Sequence, residues 1–68
     1  MDINTFLSEQ NEAYLKECFN ELESFRKNGV LPNGEVRKLN KRFFNDNTTT
    51  LYTIGEIVYR EIAIRHFA

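Results

Sequence analysis

Residues 49–68, TTLYTIGEIVYREIAIRHFA, decide how this chain folds, because they support two different structures. Their Thr, Ile, Val and Tyr content favours strand, and Ile54-Gly55-Glu56-Ile57 has the form of a two-residue hairpin turn with glycine first. Against this, strand alternation breaks at Arg60-Glu61. A helical start signal is also present. Thr53 and Glu56 have the spacing of a capping box, and Tyr52 and Ile57 are placed as its hydrophobic staple. From there Ile54, Ile57, Val58, Ile62 and Ile64 share one broad side of a helix, and Glu61 and Arg65 can pair at i, i+4. The residues therefore predict a C-terminal helix from Thr53, with 49–52 extended before it and a hairpin near 49–58 as the alternative.

That helix is apolar nearly all round, since Tyr59, Ala63 and Phe67 lie away from the isoleucine side. A helix of this kind belongs in the middle of a bundle or at an interface. Two further helices precede it. From Thr5 to Asn28, Leu7, Tyr14, Leu15, Cys18, Phe19, Leu22 and Phe25 form a stripe roughly 140° wide, interrupted only by Asn11. Asp2 or Asn4 can cap its start, Arg26 and Lys27 suit its negative end, and Asn28-Gly29 is a left-handed stop. Val30 stands where a residue after such a stop often packs back on the last turn.

VLPNG, residues 30–34, is a turn. A second, shorter helix is expected from about Gly34 to Phe44 with Asn33 as its cap, presenting Val36, Leu39 and Phe43 as a narrow apolar stripe. Asn45 to Thr48 is a polar loop. The expected fold is a mainly α, three-helix domain covering 1–68: a long helix, a short basic helix and an apolar C-terminal helix.

Length limits what such a domain can do alone. Ordering 68 residues costs on the order of 100 kcal/mol, which a small core must offset. A single cysteine, Cys18, excludes an internal disulfide, and a single histidine, His66, leaves metal sites short of ligands. No apolar run exceeds three residues, so neither a membrane span nor a signal-peptide core is present. These features fit a reducing, cytoplasmic setting. A three-helix domain has no true middle for the last helix, so a homodimer, a higher oligomer or another protein is expected to complete the core.

The net charge of -1 is a cancellation. Residues 1–24 carry a balance of -5 and residues 25–44 a balance of +5. Arg37, Lys38, Lys41 and Arg42, with the adjacent Phe44, are the one coherent electrostatic feature. They could contact nucleic-acid phosphates or an acidic protein surface, or remain a solvated face. Cys18 lies within the apolar stripe and reads as a small buried hydrophobe. His66 reads as a cation at a helix C-terminus. No phosphate-binding glycine loop, acid/base pair or nucleophile with its base is present, so neither an enzyme nor a cofactor is expected.

Tyr52-Thr53-Ile54-Gly55-Glu56-Ile57 resembles the opening of the first DNA-binding helix of MerR-type regulators. The resemblance covers six residues, and the eleven that follow leave no room for that family's turn, recognition helix and wing. No DNA-contacting residue is carried over. The expected function is a small non-enzymatic regulator, inhibitor or adaptor, of the kind found in phages and mobile elements, that covers a partner's surface. Tyr52, Tyr59 and Phe67 are its expected apolar interface. A dimeric nucleic-acid-binding module using the basic helix is the alternative, and a structural subunit of a larger assembly a second one.

Overall fold

The structure is a computed structural model that describes residues 2–67. Four helices follow one another: α1 (Ile3–Ser8), α2 (Glu12–Asn28), α3 (Glu35–Phe44) and α4 (Thr50–Phe67). The expected small, mainly α domain is what the chain forms, and no strand occurs among the described residues. The hairpin alternative at 49–58 is not adopted.

The predicted first helix is broken in two, and Asn11 is the reason. Its side chain accepts from Tyr14 N at 2.8 Å, capping α2, while its own backbone is extended. The polar intruder in the apolar stripe was therefore the mark of a new helix start. Asp2 caps α1 by accepting from Thr5 N at 2.8 Å. At the other end of α2, Gly29 has φ 70° and its N–H donates to Phe25 O, the left-handed stop that Asn28-Gly29 predicted. Val30 does not pack back on that turn; it is exposed, as is Leu31, while Pro32 is buried.

Two further expectations are corrected. Asn33 does not cap α3: its Oδ1 accepts from Arg37, and the α3 amides are capped from another helix. The Thr53–Glu56 box does not start α4 either. The helix begins at Thr50, one turn earlier, so Thr53 lies inside it. Asn47 sets the earlier start, accepting through Oδ1 from Thr49 N and Thr49 Oγ1 while its carbonyl accepts from Thr50 N. Asn45 and Asp46, both at positive φ, turn the chain sharply enough to bring Asn47 there.

The break at residues 9–11 gives α4 what a three-helix domain lacks. With α1 folded back as a separate wall, α4 packs against α1, α2 and α3 together. Leu51, Ile54 and Val58 are buried among Ile3, Leu7, Leu15, Cys18, Leu22, Val36 and Leu39, and Gly55 is buried beside Leu22. α4 is the helix that packs against all three others, with its opposite face in solvent. Much of the apolar surface that seemed excessive is thereby absorbed.

Candidate interaction surface

Two charged side chains tie the ends of short helices to long ones. Glu21, on α2, reaches the N-terminus of α3: Oε1 accepts from Gly34 N at 2.9 Å and Val36 N at 3.3 Å, and Oε2 from Glu35 N at 2.9 Å. Arg65, on α4, reaches the C-terminal end of α1, donating from Nη2 to Gln10 O at 2.6 Å and to Leu7 O and Ser8 O at 3.2 Å. Each charge matches the sign that its helix end favours. The expected Glu61–Arg65 pair also forms, at 3.9 Å.

The basic residues of α3 are largely engaged. Arg37 Nη2 lies 3.6 Å from Asp46, and Lys38 Nζ lies 3.3 Å from Glu35. The Arg42 guanidinium sits 4.8 Å from the Phe6 ring centre and 5.2 Å from that of Phe43. Lys41 has no ion-pair partner among the described residues. Phe44 is half-buried and packs against the core, so it offers no free ring for stacking. The four cations therefore stand as three tethered charges and one free one.

The three aromatics of the apolar C-terminal helix separate. Tyr59 is half-buried, edge-on to Phe19 at 5.5 Å, with its hydroxyl donating to Glu23 at 3.3 Å. That hydroxyl's pKa is raised, first by burial and then by the Glu23 charge. Tyr52 leans on Phe25 at 5.5 Å yet remains 70% exposed, and Phe67 is 87% exposed. Ile64, which the sequence placed on the isoleucine side of the helix, joins them at 54%. Val30 and Leu31 form a second exposed pair, beside an open groove of about 460 Å³ lined also by Pro32, Arg37, Asp46 and Leu51.

Cys18 and His66 lie in opposite surroundings, one buried and one in solvent. Cys18 is buried, and burial, with Glu21 and Glu35 nearby, pushes its thiol up to about 12, far from thiolate chemistry at neutral pH. His66 lies 3.5 Å from Glu12, with both side chains mostly in solvent. Among the described residues no three His, Cys, Asp or Glu side chains converge on a metal-sized site. No helix of the structure is long and apolar enough to cross a membrane. No family model matches the chain, and neither a curated protein nor a solved structure does so.

Val30 and Leu31 carried a sequence signal of their own, two large apolar residues in a turn, but the stop-signal rule assigned Val30 to packing. Ile64 was hidden because it counted toward the isoleucine side of α4. Its rotation toward solvent depends on where α1 and α2 lie, which helical periodicity within α4 does not encode.

Proposed function

We propose that the chain is a small, non-enzymatic protein-binding regulator, inhibitor or adaptor that acts by covering part of a partner's surface. The observation that supports this reading is the exposed pair Val30 and Leu31, at 57% and 58%, held beside a groove on a linker anchored by buried Pro32. Two adjacent large apolar side chains on a fixed linker lose little freedom on binding, so their burial contributes efficiently to affinity. Arg37 and Asp46 at the groove already neutralise one another, which favours an apolar contact over an ionic one. The partner is therefore a protein presenting an apolar patch, and the contact is weakly dependent on salt.

Binding of nucleic acid through α3 is the less supported reading, because three of its four cations are engaged within the chain. The test is affinity capture from the native host, followed by reconstitution with the purified partner and with V30S/L31S. A stoichiometric partner whose binding is lost in that variant, with helical content unchanged, is the expected result. Binding that survives the double substitution, or that belongs to nucleic acid and collapses steeply with salt, would overturn it.

A further inference from the structure

α4 is surrounded on its inner side by the other three helices, and one face of it is left to solvent. The exposed residues are Tyr52, Thr53, Glu56, Arg60, Ala63, Ile64, His66 and Phe67. His66 stands to one side, near Glu12, and at about 100° per residue the other seven occupy an arc roughly 120° wide. Each has a counterpart the same number of positions away on the other side of Val58. Tyr52 mirrors Ile64, Thr53 mirrors Ala63, Glu56 mirrors Arg60, and Phe67 mirrors Thr49, which is also exposed.

We propose that this face binds a second copy of the chain, α4 antiparallel to α4, with the two-fold axis passing between Glu56 and Arg60. A two-fold interface must be complementary to itself, so residue i meets j where j meets i. The face meets that condition in one register. Glu56 faces Arg60 of the partner subunit, twice by symmetry, while Tyr52 at one edge of the arc lies beside Ala63 of the partner subunit and Ile64 at the other edge beside Thr53 of the partner subunit, also twice. Phe67 closes each end over Thr49 of the partner subunit.

Charge selects this occupant and this direction. Neither Glu56 nor Arg60 has an ion-pair partner within the chain among the described residues. Parallel pairing would set Glu56 against Glu56 and Arg60 against Arg60, whereas the antiparallel register pairs opposite charges. Such exposed pairs contribute little affinity and mainly fix orientation, while the flanking apolar groups supply the contact. α4 has 18 residues, so the pairing runs along about 27 Å of helix.

Sedimentation equilibrium of the whole chain over a concentration series tests this. The expected mass is twice the 8.1 kDa of one chain. I64K/F67K, at two exposed positions, is expected to keep its helical content and to weaken association by more than about tenfold. E56R and R60E are each expected to weaken it several-fold, and E56R/R60E together to restore it, because the swap recreates the same pairs. A mass of one chain throughout, a dimer indifferent to I64K/F67K, or single reversals that the double swap does not rescue would each overturn the proposal. Val30 and Leu31 lie outside this face, so a monomer that still binds its partner would overturn the dimer alone.

Discussion

The carboxylate of Glu21 accepts from the backbone N–H of Gly34 at 2.9 Å, although thirteen positions separate the two residues. The same side chain takes the next two amides, so the N-terminus of α3 is capped by α2 rather than by its own preceding residues. Glu21→Ala leaves these amides without their acceptor and is expected to destabilise the fold by about 1–2 kcal/mol. Glu21→Gln keeps the acceptor oxygen that serves Gly34 and Val36 and loses the one that serves Glu35, so its loss is smaller than that of Glu21→Ala. Urea unfolding of the three proteins orders them.

Gly34 reports on the same cap independently. A Cβ there would lie 2.8 Å from Glu21 Oε2, so Gly34→Ala must displace the carboxylate. At Gly29, by contrast, a Cβ meets nothing, and Gly29→Ala costs only the strain of φ 70°, about 1 kcal/mol. The expected double-mutant result is coupling between Gly34→Ala and Glu21→Ala, and additivity between Gly29→Ala and Glu21→Ala.

Arg65 holds α1 against the fold through three carbonyls. Arg65→Ala is expected to cost about 1.5–3 kcal/mol, the range for hydrogen bonds to a charged group. The loss should concentrate in α1. Hydrogen exchange is expected to speed up at Phe6 and Leu7 more than at Leu39 of α3.

Asn40 is the buried polar residue of the core, 2% exposed. Its Nδ2 donates to Asn47 O at 2.8 Å, and its Oδ1 accepts from the Thr50 hydroxyl. Asn40→Leu leaves the Asn47 carbonyl and the Thr50 hydroxyl without this partner and is expected to cost about 1–3 kcal/mol. The start of α4 should loosen with it, visible as faster exchange at Thr50 and Leu51.

Stability should fall at both ends of the pH scale. Burial raises the Cys18 thiol from its ordinary 9.0 to about 12 and also raises the Tyr14 hydroxyl, so the unfolded chain loses these protons first. Their contribution is therefore complete below about pH 9 and is lost as pH rises toward 12. At the acid end, the Thr5 amide holds Asp2 below its ordinary 3.8, and Arg26 holds Glu23 below 4.5. Those contributions are present above these values and disappear as pH falls through the lowered ones. Denaturant midpoints across pH should trace a plateau with these two edges, and iodoacetamide should modify Cys18 only as the chain opens.

The helical class of the fold was legible from periodicity, and the stop at Gly29 from its dipeptide. Asp2 as the first cap and the start of α3 near Gly34 were legible too, whereas the starts of α2 and α4 were not. Thr53 and Glu56 have ideal capping-box spacing, but Asn47 and the Asn45–Asp46 turn initiate α4 a turn earlier through contacts with Asn40 on α3. Asn11 was visible as an anomaly in a stripe and meant a helix boundary. Glu21 and Arg65 looked like ordinary surface charges because their partners are distant in sequence and are backbone groups, which carry no side-chain signature. The candidate surface divided similarly: Tyr52 and Phe67 stay outside as their positions suggested, while Tyr59 is drawn in by Phe19 and Glu23.

The central claim is that exposed apolar groups, rather than the cations of α3, carry partner binding. The most direct measurement is the affinity of the purified partner for V30S/L31S set beside that for K38E/K41E, each with helical content unchanged. The account predicts a loss of more than about tenfold for V30S/L31S and less than about threefold for K38E/K41E. The opposite order, with the charge reversals abolishing binding and the apolar substitutions sparing it, would contradict it.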